Sequence, residues 1–282
     1  MIKSPDVSVL MTAYNREKYI SQAIESVLAS SFKGFELIIV DDCSSDNTIE
    51  IAKSYEAKDN RVKVYLNETN LGDYPNRNKA ASYASGKYLK YVDADDYLYP
   101  NGLEIIVDLM EKYPEASVGL FSLPQNSAQP FPILLESGQA YKYNFFVQGL
   151  FHKAPLSAII RKDAFDKIGG FKPDRMTSDF EMWHRIAQKY NFLLIHDHIV
   201  WYREHDAQEV NSKLAFELIY TRIEKNYIID NNSPLTSIQR KLILKGRIKM
   251  YLKQLLISIL KFEFRNAHLS QQRILIYLGW KK

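Results

Sequence analysis

The chain is poor in the features that would place it outside ordinary globular enzymes. One cysteine, Cys43, stands among 282 residues, so no internal disulfide can form, and the chain suits a reducing compartment. No stretch comes near the roughly 20 consecutive apolar residues that a membrane-spanning helix needs. Charge of one sign is lacking too. Lys and Arg total 37 against 33 Asp and Glu, and a net charge of +4 is too small to point to nucleic acid. The first apolar run, from Val7, is stopped by Thr12; it is too short for a signal-peptide core and no cleavage pattern follows. Repeats and low-complexity segments are absent, and Gly72 and Gly86 read as turn glycines instead of a phosphate-cradling Gly-x-Gly-x-x-Gly. These absences predict a soluble cytoplasmic protein that at most touches a membrane surface.

What is present is an alternation of two periods. Val7–Met11 is a short β-type run, and Ile20, Ala23, Ile24, Val27 and Leu28 then recur with helical spacing. Glu36–Val40 is a continuous apolar run, as in a strand covered on both faces. Asn47 to Lys58 reads as a helix with Asn47 and Glu50 in capping-box spacing, Val62–Leu66 as a strand, Tyr74–Ala84 as a helix and Tyr88–Val92 as a strand. Four strand–helix alternations predict a doubly wound α/β sheet. Beyond Pro100 the spacing predicts a helix at 102–112, strands at 117–123, 158–160 and 192–195, and a helix at 179–190. The polar loop Pro124–Pro132 is a candidate substrate-facing segment. From about Ala215 only helical patterns remain, which sets a boundary there.

In open α/β sheets ligands gather at the carboxyl ends of the strands. Asp41-Asp42 follows the second strand and Asp93-Ala94-Asp95-Asp96 the fourth. Carboxylates crowded at one edge call for a compensating cation, and hard oxygens suit Mg²⁺ or Mn²⁺ bridging a diphosphate. Solvated acids capping loops are the plainer alternative.

These segments together resemble the family 2 inverting glycosyltransferases of GT-A fold, of the bacterial-glycan type. The resemblance is carried by Val7 to Asn15, Ile39 to Thr48, Asn70-Leu71-Gly72, Arg77-Asn78 and Ala84 to Tyr88. It continues through Asp93-Ala94-Asp95-Asp96, which matches the DxD signature, Arg161 to Phe165 and Gly169-Gly170-Phe171. It implies an α/β fold with a mostly parallel sheet, helices on both faces and a helical C-terminal tail. The domain would be 1–214, nucleotide-binding over 1–100 and acceptor-facing over 101–214, with 215–282 as the helical segment. It implies further that Thr12, Ala13, Tyr14, Asp42, Arg77, Asp93 and Ala94 bind the nucleotide of a donor, UDP-sugar by the family's usage. A Tyr ring can stack on a pyrimidine, a carboxylate can accept its imide hydrogen, and the Arg fork suits a phosphate or base edge. Asp95 would ligate a divalent metal, Mn²⁺ or Mg²⁺.

Thr177-Ser178-Asp179-Phe180-Glu181-Met182-Trp183 resembles the family's Glu-Asp-x-x-x-Trp segment, with Asp179 at the general-base position and Ser178 in place of the usual Glu. Glu181 is the other carboxylate within reach, and a helix N-terminal acid with no catalytic role is the plain alternative. Trp201 to Gln208 resembles Tyr-Arg-x-His-x-x-Gln and makes His205 a metal ligand or diphosphate contact. His196 and His198 alternate as on one strand face and read as structural or solvated. In the tail, Leu244, Ile248, Tyr251, Leu252, Leu255, Leu256 and Ile259 form an apolar stripe flanked by Lys245, Lys249 and Lys253. Such a stripe packs on the main domain or on a partner subunit, or lies on an anionic membrane.

The expectation is transfer of a sugar from a nucleotide diphosphate to a saccharide or glycolipid hydroxyl, for a bacterial surface glycan. A polyprenyl-phosphate transferase, a non-catalytic sugar-nucleotide-binding module and a nucleotidyltransferase are the competing readings.

Overall fold

The computed structural model describes residues 5–196, 199–205 and 217–280. Strands β1 (Val7–Ala13), β2 (Phe35–Asp41), β3 (Val62–Leu66) and β4 (Tyr88–Tyr91) alternate with helices α1 (Ile20–Leu28), α2 (Thr48–Glu56) and α3 (Asp73–Ser82). There follow β5 (Tyr97–Leu98), α4 (Gly102–Lys112), β6 (Ala116–Leu120), β7 (Ile133–Leu135) and α5 (Gln139–Phe146). Next come β8 (Ala158–Arg161), α6 (Lys162–Ile168), α7 (Ser178–Ala187), β9 (Asn191–Leu194) and β10 (Val200–Trp201). Helices α8 (Glu217–Ile229), α9 (Ser237–Leu260) and α10 (Phe264–Leu278) end the chain.

The large sheet runs β3-β2-β1-β4-β8-β6-β9-β7. Its first four strands are parallel, so the carboxyl ends of β1, β2 and β4 share one edge. β8 enters antiparallel to both β4 and β6. The apolar strands feed two cores, one on each face. One holds Val9, Met11, Leu37 and Ile39 against α1 and α4; the other holds Leu10, Ile38, Val40 and Leu89 against α3, α7 and the tail. That two-sided burial is why Leu37–Val40 of β2 is apolar without a break.

Several local expectations are revised. Asn47 makes no capping bond; Asp46 instead accepts from the Thr48 backbone N–H (3.0 Å) and hydroxyl (2.5 Å). β9 stops at Leu194, so His196 lies beyond the strand, edge-on to Phe131, and His198 falls outside the described residues. Gly72 needs its glycine for a φ of 87°. Gly86 needs it because an added Cβ would sit 2.5 Å from the Ser8 backbone N, so it is a close-approach position and not only a turn.

The tail stripe is split. Leu244, Ile248 and Tyr251 pack against the core shared with α7, whereas Leu252, Leu256 and Ile259 point outward. Among the described residues no helix is long and apolar enough to cross a membrane.

Candidate active site

The parallel register sets Ala13 opposite Asp41, which brings Thr12–Tyr14 and Asp41-Asp42 to one edge. Ala13 is buried, Thr12 half-buried, and the Tyr14 ring stands 48% exposed on the lip, free to present a face to a base. Asp41 closes a turn by accepting from the Ser44 N–H (2.8 Å) and hydroxyl (2.6 Å). Asp42 is buried and accepts three bonds: from Asn67 Nδ2 (2.8 Å), the Leu71 N–H (2.8 Å) and the Gly72 N–H (2.9 Å). A carboxylate offers about four acceptor positions, so one remains for a nucleobase donor. Asp42 therefore also pins the Asn70-Leu71-Gly72 loop that leads into α3.

α3 turns Tyr74 and Arg77 inward. Arg77 is buried, donates from Nε to Asp73 Oδ1 (2.8 Å), and sets a terminal nitrogen 2.7 Å from Asp93 Oδ1. Burial opposes its charge, but Asp73 and Asp93 outweigh that and push its pKa up. Arg77 is therefore not a solvated arginine on the helix surface. Asn78, one residue on, clamps Phe171 by two bonds, its Nδ2 to the Phe171 carbonyl (2.7 Å) and the Phe171 N–H to its Oδ1 (2.9 Å). These bonds carry the Gly169-Gly170-Phe171 segment against α3.

After β4 come Asp93, half-buried, and Ala94, Asp95 and Asp96, all buried. Asp95 Oδ2 lies 2.8 Å from Arg16 Nε and 3.0 Å from His205 Nε2. The His205 ring stacks on Tyr19 with centroids 4.9 Å apart, which fixes its plane. Burial, with Asp93 and Asp95 beside it, pushes Asp96 up to about 8, and the Arg203 N–H donates to its Oδ1 (2.9 Å). Lys90 lies wholly buried, donating to the Tyr91 (2.6 Å) and Leu156 (2.5 Å) carbonyls. Burial pushes its pKa down to about 7 against the pull of Asp93 and Asp96.

Arg16 and Arg77 thus already pair with Asp95 and Asp93, so crowding alone does not require a metal. What favours one is the Asp95–His205 pair, an oxygen and an imidazole nitrogen converging at one point. Among the described residues no group of three His, Cys, Asp or Glu forms, so these two fit a cation whose other ligands come from phosphate and water.

Asp179 opens α7. One oxygen accepts from the Phe180 N–H (2.6 Å) and the carboxylate accepts from the Tyr74 hydroxyl, with Arg77 close enough to bias it. Burial, only partly offset by these contacts, raises its pKa to about 6. α3 therefore joins the two constellations, touching Asp179 through Tyr74 and Asp93 through Arg77. Glu181 is committed elsewhere. Burial alone would raise its pKa, yet Arg185 (2.8 Å), Lys172 (2.6 Å) and the Tyr227 hydroxyl outweigh it and hold it low. Ser178, at the family's Glu position, is buried and donates to the Lys172 carbonyl (2.6 Å).

A cavity of about 390 Å³ is lined by Phe180, the residue after Asp179, with Tyr220, Arg247, Tyr251, Gln254 and Arg273; Asp179 itself does not line it. A larger space of about 600 Å³, lined by Lys87, Arg161 and Asp163, lies at the other end of β4, away from the carboxylates. Sequence reasoning missed Arg16, Tyr74 and Lys90 and gave Arg203 no role. Nothing in the sequence flags Arg16 beyond its place directly after Asn15, two residues past the end of β1. Gln208, the end of the His205 motif, lies outside the described residues.

The glycosyl transferase family 2 model matches residues 8–169, more than half of the chain. The chain is 32% identical over 199 residues to the putative glycosyltransferase EpsE of Bacillus subtilis, covering 67% of this chain and 69% of that one. It is 42% identical over 106 residues to WfgD of Escherichia coli, a UDP-Glc:alpha-D-GlcNAc-diphosphoundecaprenol beta-1,3-glucosyltransferase, covering 38% and 41% of the two chains. Its fold is similar to that of S. aureus TarS 1–349 in complex with UDP-GlcNAc, with TM-score 0.68 at 22% identity over 84% of this chain and 70% of that one. With the DxD edge, the α3 bridge and the α7 carboxylate in place, the chain belongs to glycosyl transferase family 2 and is a glycosyltransferase of GT-A fold.

Proposed function

We propose that this glycosyltransferase moves a sugar from a UDP-sugar to an acceptor hydroxyl with inversion at the anomeric carbon, in the synthesis of a bacterial surface polysaccharide or glycolipid. The observation that carries the reading is the α3 bridge, which sets the Asp179 carboxylate across from the Asp93–Asp95 edge. Tyr14 would stack on the base, Thr12, Ala13 and Ala94 would line its pocket, and Asp42 would accept its imide N–H. Asp93, held by Arg77, would face the ribose. Asp95 and His205 would hold Mn²⁺ or Mg²⁺, which when bound supplies positive charge to the leaving diphosphate.

Asp179 takes the proton of the acceptor hydroxyl as that oxygen bonds to the anomeric carbon. The bond from that carbon to the phosphate oxygen breaks on the opposite face, and its electron pair leaves with the nucleoside diphosphate. A base with pKa near 6 is ionised at neutral pH yet more basic than a free aspartate, which suits proton abstraction. A hydroxyl acceptor needs such a base, whereas a phosphate acceptor would not, and this favours the first reading over a polyprenyl-phosphate transferase. The transferase domain is assigned to 1–214, its first hundred residues facing the nucleotide and the rest the acceptor. Residues 215–282 form the helical segment, and its α8, α9 and α10 would border the acceptor side, since they line the cavity that Phe180 also lines. A nucleotide-sugar donor and a lone cysteine favour a cytoplasmic reaction.

A thermal-shift panel of nucleotide sugars, with and without Mn²⁺, tests the donor reading. The expected result is stabilisation by one UDP-sugar that depends on Mn²⁺, followed by UDP release and an inverted anomeric configuration in the product by NMR. Pyrophosphate release, or retention of configuration, would overturn it.

A further inference from the structure

α9 and α10 form a hairpin whose two ends differ in kind. At the near end Ile243, Leu244, Ile248 and Tyr251 are drawn into the core beside α7 and α8. At the far end, around the turn, Leu256 is 62%, Leu260 78%, Phe262 78% and Phe264 74% exposed. The Phe262 and Phe264 rings meet edge-on 6.5 Å apart, and Phe262 holds the turn at φ 58°. Exposed Lys253, Lys261 and Arg265 ring this apolar tip, and the acid among them is Glu263. Large apolar side chains gathered at a convex tip and surrounded by cations are the arrangement that enters the boundary between lipid headgroups and acyl chains.

We infer that the α9–α10 turn is a membrane foot that inserts Leu260, Phe262 and Phe264 into an anionic lipid bilayer, with Lys253, Lys261 and Arg265 on the headgroups. Charge decides between a bilayer and a second copy of the chain. A symmetric pairing of tips would bring the cations of one copy against those of the other, whereas an anionic surface complements all three. The helices do not cross the bilayer: α9 carries six Lys and Arg along its 24 residues.

The placement fits the reaction. Gln254 lines the cavity that also holds Phe180, the residue after Asp179, and Leu260 in the foot is six residues further along the same helix, about 9 Å at 1.5 Å per residue. A docked foot would hold that cavity about one headgroup layer from the lipid, within reach of an acceptor sugar carried on a lipid. This purpose rests on the proposed transfer reaction; the docking itself does not.

The test is sedimentation of the whole chain with vesicles, needing neither donor nor acceptor. Wild type should bind vesicles of 70% phosphatidylcholine and 30% phosphatidylglycerol at least tenfold more tightly than pure phosphatidylcholine, since each basic residue at an anionic surface is worth about fivefold. The triple variant Leu260→Ser, Phe262→Ser, Phe264→Ser should lose binding by tenfold or more. So should Lys253→Gln, Lys261→Gln, Arg265→Gln, and both should keep the wild-type melting temperature. Equal binding to both vesicle types, or unchanged binding by either variant, would overturn the inference. So would a dimer seen by light scattering that the serine variant abolishes. Vesicle binding without any donor-induced thermal shift would leave the foot standing and remove the transferase reading of the site, and the reverse result would do the opposite.

Discussion

Asp179 is held among groups that do not fully repay the loss of water. Burial raises its pKa from 3.8 to about 6, while the Phe180 N–H, the Tyr74 hydroxyl and Arg77 pull it back. A carboxylate with a raised folded pKa weakens the fold as pH climbs from its unfolded value through its folded one. At neutral pH the ionised form costs on the order of 3 kcal/mol at about 1.4 kcal/mol per pKa unit. Asp179→Asn removes that charge, so its melting temperature should exceed wild type at pH 7.5. The gap should close as pH falls below 6, as followed by calorimetry across pH. For the same reason the acid limb of the wild-type kcat/KM profile should break near pH 6, and a break near pH 4 would show that the base is another group. Arg77 is the opposite case, a buried cation with two carboxylate partners. Arg77→Met leaves Asp73 and Asp93 facing each other unneutralised and should cost roughly 3–5 kcal/mol in chemical denaturation. The motif singled out Asp93, Asp95, Asp179 and His205 as candidates before any coordinates. Arg16 was not legible, because its bond to Asp95 joins positions 79 apart and leaves no local pattern.

At the level of elements, α3 does the joining, and its entry is fixed by Asp42 through the Leu71 and Gly72 N–H groups. Gly72 at φ 87° has open space where a Cβ would go, so Gly72→Ala is a backbone penalty without a clash. It should cost about 1–2 kcal/mol and weaken donor binding by loosening the loop that orients Asp42. Thermal unfolding and donor titration of that variant check both effects. Long periodic elements were legible: α1 and α4 run over the residues their apolar spacing marks, because one face is buried throughout. The pairing of β5 with β10 was not, since two-residue strands carry no period, and the two segments lie about a hundred residues apart. α5 was missed for a related reason. Its run is mostly aromatic with only Gln139 and Lys142 as exposed polar positions, and Ala140, Tyr141 and Tyr143 are buried by tertiary packing.

For the whole molecule, the tail is structurally continuous with the sheet. Ile228, Leu235, Ile243 and Tyr277 sit in the same core as Leu10 and Trp183, and Tyr227 and Arg247 bond to Glu181 and Glu224. A chain ending at residue 216 would expose that surface and should be insoluble or lose its cooperative transition, as expression and calorimetry would reveal. Composition showed the tail to be helical and basic, but whether its stripe packs or lies bare depends on where α8 lands, which periodicity does not encode. Most of the transfer proposal rests on a single spatial relation, Asp179 facing the Asp93–Asp95 edge across the reacting carbon. Donor binding by calorimetry and turnover, measured on one preparation of Asp179→Asn with Mn²⁺ and the donor found by the thermal-shift panel, test it most directly. We expect donor affinity within a few-fold of wild type and turnover reduced roughly 100- to 10,000-fold. Turnover close to wild type at unchanged donor affinity would contradict it.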